Sequence, residues 1–417
     1  MEPQEITQTL SPNVAARIKH LKSQNPRQRS QAARELGELG AKAGVAELIE
    51  ALDEDVNTYV RSAAAESLGR IGAPEAIFSL MDALHDPSSF VRRAAAISLG
   101  QMRAKEAQVA LIQALDDSNF YVRRAAINAI GKLGIADLGP LLIPYLENCD
   151  PRIQRTTVTA LRRLQTREAL PRMTEMLEAC QRNPAPRDLP LVKALVIALG
   201  EMQTATAIPT LIKVMQGYVG ARSLAAAALG QIGDPVAGPV LTHALQDKSP
   251  SLQLAALKGL GQLRYRPAAP VIRGFLTDPD PRLRRMAART LGQLQDREAT
   301  PWLLQVAKED PSPLVRPAAI AALGELGRNP DIIPDLIALV DDTNAYLRAA
   351  LPTALKAVDG TSPEVQQALK RLRQDPVEHV AAAAQRACNL ENHPIAPPEM
   401  EEPEASGSWL RRLLRRG

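Results

Sequence analysis

The chain has 417 residues with 50 basic and 46 acidic side chains, a net charge of +4, and only 3% aromatics. Near-neutral charge excludes the strongly basic balance of a general polyanion binder, and so few aromatics leave alanine, leucine and other small side chains to fill a core. No apolar run reaches the roughly 18 residues of a membrane helix, and Met1–Leu10 has neither a basic stretch nor an apolar one behind it. A cytoplasmic chain is expected.

Residues 1–12 read as a polar lead-in, and Asn13–Ser23 as a first helix with Val14, Ile18 and Leu21 on one face. From there to residue 391 one sentence repeats. Phe90–Gly100, FVRRAAAISLG, is its template, and in register with Gly100 stand Gly37, Gly69, Gly131, Gly200, Gly230, Gly261, Gly292 and Gly324. Most steps are 31 or 32 residues, and Arg162, Lys356 and Asn389 hold the slot in three further copies, making twelve. Such a period marks a solenoid, whose units bury their apolar faces only by stacking. Each unit reads as two helices. Ala107–Leu115 is the first of one pair, with Leu111, Ile112 and Leu115 on its packed face, and Val122–Leu133 is the second. Prolines at 140, 171, 209, 239, 270 and 301, nine residues past the slot, and Pro334, ten past it, mark where first helices begin. The slot glycine is expected to ease the close of each second helix.

The register breaks once, with a step of 38 residues whose excess lies in Ala179–Pro190, read as a loop extension. Beyond the repeats, residues 392–408 are rich in Pro, Glu and Ser and read as a disordered linker. Residues 409–417 form a basic amphipathic tail: Trp409, Leu410, Leu413 and Leu414 share one arc of a helical wheel, and Arg411, Arg412, Arg415 and Arg416 the other. So short a segment is expected to fold only on docking, onto a partner, the solenoid or an anionic membrane.

Comparing the copies isolates two rows. An Asp stands six residues before an Arg in Asp55/Arg61, Asp86/Arg92, Asp117/Arg123, Asp278/Arg284, Asp310/Arg316 and Asp342/Arg348, while Asn148 matches Gln154. Ionic groups are expected to meet ionic and amides amides, within a unit or across to the next. One position beyond this ladder come Arg93, Arg124, Arg155 and Lys193, and two positions before it Tyr59, Phe90 and Tyr121. Aromatics and arginine dominate binding hot spots, so these seven residues are the candidate partner-binding strip; merely solvated side chains are the alternative.

No His-containing metal motif, Walker loop or catalytic triad is present among the five histidines and three cysteines, so no catalytic, metal or cofactor site is nominated. Cys149 and Cys180, 31 residues apart on stacked units, lie too far apart for a disulfide and read as free thiols.

The unit VRSAAAESLGRIG, Val60–Gly72, resembles the HEAT-like repeat of the phycobilisome lyase superfamily, over about Asn13–Asn389. The resemblance implies an all-α fold, a right-handed α-solenoid of about twelve HEAT-like helical hairpins with second helices on the concave side. It implies one of two functions. The first is a non-enzymatic scaffold that binds proteins on that face and docks its tail elsewhere. The second is a phycobilin lyase, or an assembly or degradation factor for phycobilisomes, for which alone a bilin cofactor is expected. No lyase site motif is matched. Deoxyhypusine hydroxylases are similar but hold iron through His-Glu pairs, and this chain has no His-Glu dipeptide. Nucleic acid is the partner least expected.

Overall fold

The computed structural model describes residues 11–183 and 185–389. The linker at 392–408, the tail at 409–417 and nearly all of the N-terminal lead-in lie outside these residues. Among the described residues there are only helices and turns, and the chain divides into two compact units between Ile232 and Gly233.

The first unit holds seven antiparallel hairpins. The paired helices are Pro12–Leu21 with Pro26–Glu38, Val45–Glu54 with Thr58–Ile71, and Ile77–Asp82 with Ser89–Met102. Gln108–Gln113 then pairs with Phe120–Leu133, Gly139–Leu142 with Pro151–Leu164, Leu170–Arg182 with Leu189–Glu201, and Ile208–Gly217 with Arg222–Ile232. The second unit holds five more: Gly238–Ala244 with Pro250–Leu263, Ala269–Gly274 with Pro281–Leu294, Thr300–Glu309 with Val315–Glu325, Ile333–Ile337 with Ala345–Asp359, and Pro363–Leu372 with Glu378–Asn389. Hairpins are numbered 1 to 12 in this order. Several first helices tighten into a 3₁₀ turn at their C-terminus, as at Ala83–His85 and Ala114–Asp116.

Each expected proline sits in the first turn of its first helix, where the missing N–H has no intrahelical partner to lose. The leucine before the slot is fully buried in ten repeats, and Ile130 is nearly so. Each such side chain contributes roughly 1.5–3 kcal/mol by leaving water.

The slot glycine does not close its helix. It lies inside it, against the second helix of the next repeat. A Cβ on Gly69 would stand 2.3 Å from the Cβ of Ser98, and one on Gly100 or Gly131 would stand 2.7 Å from the Cα of Ala129 or Ala160. For Gly37, Gly69, Gly100, Gly131, Gly200 and Gly324 the facing residue is two before the next slot, and it too is small. Closure falls three residues after the slot, in the left-handed region: Gly72, Gly134, Gly233 and Gly327 have φ of 72–81°, and Arg103, Gln165, Gln203, Arg264 and Gln295 have φ of 49–57°.

Candidate functional site

The ladder is built and directional. Apart from Arg123, each arginine of the ladder reaches forward to the carboxylate of the next turn. Arg61 Nε and Nη2 donate to Asp86 Oδ2 and Oδ1 at 2.7 and 3.0 Å, and Arg92 meets Asp117 at 2.6 and 2.9 Å. Arg29–Asp55 repeats the geometry, as do Arg284–Asp310 and Arg348–Asp375 in the second unit. Arg316 reaches Asp342 through Nη1 and Nη2 instead. The link back is to the main chain: Arg61 Nη1 donates to Asp55 O and Arg92 Nη1 to Asp86 O. Each aspartate also accepts a backbone N–H two residues on, as Asp117 does from Asn119. The paired side chains are largely buried, and bidentate charge-assisted bonds of this kind are the strong ones.

Burial alone would push Asp55, Asp117 and Asp342 up. The guanidinium hydrogen bond, the backbone N–H and the flanking cations together outweigh it and hold each below its ordinary value. The same occurs at Asp375, where the Arg348 hydrogen bond is the largest influence. The expected pairing of amides with amides does not form. Gln154 Nε2 donates to Leu146 O, and Asn148 Oδ1 accepts from Asp150 N, because a neutral amide finds its own main chain closer than its neighbour.

Tyr59, Phe90 and Tyr121 occupy one place on hairpins 2, 3 and 4, the second residue of the second helix. The N-cap fixes them there: Asn57, Ser88 and Asn119 each accept the N–H of the strip residue. Their rings are 64%, 59% and 49% exposed, so they do not roof a core. Arg93 and Arg155 are exposed, and Arg124 and Lys193 half-buried, on hairpins 3 to 6. Arg124 lies 5.7 Å from the Tyr121 ring centre and 5.8 Å from that of Phe120, and Arg152 stands 4.4 Å over Phe120. The strip therefore begins aromatic and turns cationic at hairpins 4 and 5.

A second row in the same register escaped sequence comparison. Leu314 and Tyr346, on hairpins 10 and 11, are exposed, and Tyr346 stacks on His379 of hairpin 12 at 5.4 Å. Leucine and histidine do not read as members of an aromatic row, although counting back ten residues from each slot would have found them.

At the register break a surface depression of about 710 Å³ is lined by Gln154, Cys180, Arg182, Asn183, Arg187 and Asp188, among others. Burial first, then the negative charge of Asp188, pushes the Cys180 thiol up, away from the thiolate a nucleophile requires. Cys149, Cys180 and Cys388 are all unbridged.

The HEAT-repeat family profile matches residues 14–100, 108–185, 191–252, 239–324 and 300–389. The profile of the PBS lyase HEAT-like repeat matches residues 91–117. No curated protein matches the sequence. Among solved structures, importin beta is similar at 14% identity and a TM-score of 0.65, over 90% of this chain and 64% of its own. The Kap95:Nup1 complex is similar at 14% identity and 0.63, over 89% and 62%. This chain thus spans under two thirds of either. The complex of CpcE and CpcF of phycocyanin lyase from Nostoc sp. PCC7120 matches at 24% identity, over 70% of this chain and 98% of its own, with a TM-score of 0.38.

Proposed function

The chain belongs to the HEAT-repeat proteins, all-α solenoids of stacked hairpins, and from that premise we propose that it is a non-enzymatic scaffold that binds another protein along the second helices of hairpins 2 to 6. The observation that carries this reading is the strip itself. Three exposed rings and four cations occupy matched positions on successive hairpins, where serine suffices in other copies. Ser62 and Ser223 fill equivalent positions elsewhere. Large rings and guanidinium groups held on rigid helices contribute affinity with little ordering cost.

Affinity capture from the native cell tests it. Arg93, Arg124 and Arg155 changed together to Glu should abolish recovery of the partner found with the parent chain; unchanged recovery removes the reading. In this function the chain needs no cofactor and works in the cytoplasm. The tail, residues 409–417, supplies a second contact on a protein or an anionic membrane surface. Equal flotation with liposomes by the full chain and by one ending at Ser408 rules out the membrane.

The match of residues 91–117 to the PBS lyase HEAT-like repeat favours a second reading, in which the scaffold serves a phycobilin lyase or a phycobilisome assembly or degradation step. Co-expression with a phycobiliprotein and a bilin separates the two. Attached or released tetrapyrrole supports the second reading, and an unchanged chromophore content sinks it.

A further inference from the structure

The strip and the ladder do not account for all the positive charge on hairpins 3 to 6. Besides the four strip cations, Arg123, Lys132 and Arg163 lie there, and none of the seven has a carboxylate within ion-pair distance among the described residues. Their neighbours Arg152 and Arg162 are paired, with Asp150 and Glu201.

Arg123 is the end of the first ladder. The row Arg29, Asp55, Arg61, Asp86, Arg92, Asp117, Arg123 alternates sign and stops on a cation, because the next turn offers Asn148, whose Oδ1 accepts from Asp150 N. Arg123 Nη1 is held on Asp117 O at 2.7 Å and Ser118 O at 2.9 Å, as Arg92 Nη1 is on Asp86 O and Pro87 O. The edge of its fork that clasps a carboxylate in Arg92 clasps none here.

Lys132 and Arg163 follow the slot in hairpins 4 and 5. Arg163 Nη1 donates to Asn128 Oδ1 at 2.8 Å, one helical turn before Lys132, so two cations share a patch without an anion. Loss of hydration lowers the pKa of both, and Arg163 adds to this at Lys132, as Arg162 does at Arg163. Arg124, Asn128 and Lys132 advance by four residues and keep to one arc of the helix. Lys132 is half-buried and Arg163 exposed; like charges placed together destabilise the free chain, so packing does not explain them.

We propose that the second-helix face of hairpins 3 to 6 is a recognition site for an acidic segment of a partner protein, with the Lys132–Arg163 pair and Arg124, on the same arc, as its carboxylate anchors. This rests on the protein-binding reading above and gives it a chemistry. A guanidinium already held in place, as Arg163 is on Asn128 Oδ1, needs little ordering to take a carboxylate. The rings of Phe120 and Tyr121 beside Arg124 suit apolar residues set between the acids. Nucleic acid fits less well: Asp117 and Asp150 stand at the turns that lead into the second helices of hairpins 4 and 5, where a peptide can place an uncharged residue but a phosphodiester chain cannot.

Fluorescence anisotropy with the full chain tests it, using a labelled peptide of about 20 residues built of Asp, Glu and Phe. A Gln-and-Asn version of that peptide and a single-stranded DNA of equal length serve as competitors. The acidic peptide should bind, more weakly as salt rises, and Lys132→Gln with Arg163→Gln should weaken it at least about tenfold. Arg124→Gln should weaken it further. The double variant should melt no lower than the parent, because a repulsion is removed. Equal binding by the double variant, no preference over the neutral peptide, or tighter binding of DNA overturns the proposal. So does a lower melting point, which would make the pair structural. In the affinity capture above, a partner lost with Tyr59, Phe90 and Tyr121 changed to Ser but kept by the double variant refutes the anion site and leaves the scaffold standing. A partner kept by both removes both.

Discussion

At the scale of single residues, two positions three apart in each repeat obey opposite rules. In a helix interior alanine is preferred over glycine by up to ~1 kcal/mol, so Gly69→Ala should stabilise if propensity decided. It does not decide here. The new methyl would stand 2.3 Å from the Ser98 side chain and 2.6 Å from its Cα, in a helix pinned on its far side by the next repeat. Overpacking of this kind costs ~1–3 kcal/mol, and Gly69→Ala is expected to lower the urea midpoint. Three residues past a slot the sign reverses. Arg103 adopts φ 54°, where a side chain is strained, and Arg103→Gly should raise stability by ~0.5–1 kcal/mol. Gln295 is a poorer choice for that test, since its amide donates to Gly292 O and to Glu325 O and so compensates for the strain. Chemical denaturation of both variants checks the pair. A Gly69→Ala chain as stable as the parent would mean that the helices can slide apart at no cost. The sequence LGxxG displays both glycines, but their roles differ only by what lies opposite, and that depends on packing.

At the scale of elements, the ladder converts acid into loss of structure. Asp55, Asp117, Asp342 and Asp375 lie below their ordinary value of 3.8. A carboxylate whose folded pKa is depressed contributes stability in full above its unfolded pKa, about 3.9, and loses it as pH falls through the folded value. The helical circular dichroism signal should therefore hold down to about pH 4 and then decline. Asp117→Asn removes the charge from one rung while keeping the turn. It should cost ~1–3 kcal/mol at neutral pH, and the variant should lose less than the parent on further acidification. If parent and variant fall in parallel, the rung does not sense pH. The existence of this ladder was legible in the repeat comparison; its direction was not, because Asp86, which the Arg61 fork meets, is 25 residues away while Asp55 is only 6, and stacking rather than chain distance brings it close. Lys132 and Arg163 were hidden for a related reason. Equivalent positions hold Glu38, Arg70, Gln101 and Glu201, an ordinary solvated mixture, and which cations lack partners emerges only when every fork is traced to its oxygen.

At the scale of the whole chain, the period fixed the architecture because a hairpin of this size has no core of its own. The twelve hairpins, the prolines at helix starts and the buried leucine row all follow from it. What a period cannot state is where stacking is weakest, and each contact is local. A row of repeats is held by intrinsic and nearest-neighbour terms, so a lesion at one seam should weaken the hairpins on either side and little else. Gly100→Ala provides that lesion, since its Cβ would lie 2.7 Å from Ala129 Cα, at the seam of hairpins 3 and 4. With a cost of ~1–3 kcal/mol, amide exchange in Ser89–Met102 and Phe120–Leu133 should accelerate by about ten- to a hundredfold. Leu189–Glu201 and Arg222–Ile232, in the same unit, should keep their protection within a few-fold. Hydrogen exchange read by mass spectrometry resolves these peptides. Uniform acceleration across Pro12–Ile232 would show instead that the unit opens as one body. The partner strip would then be lost or kept whole, and could not be trimmed hairpin by hairpin.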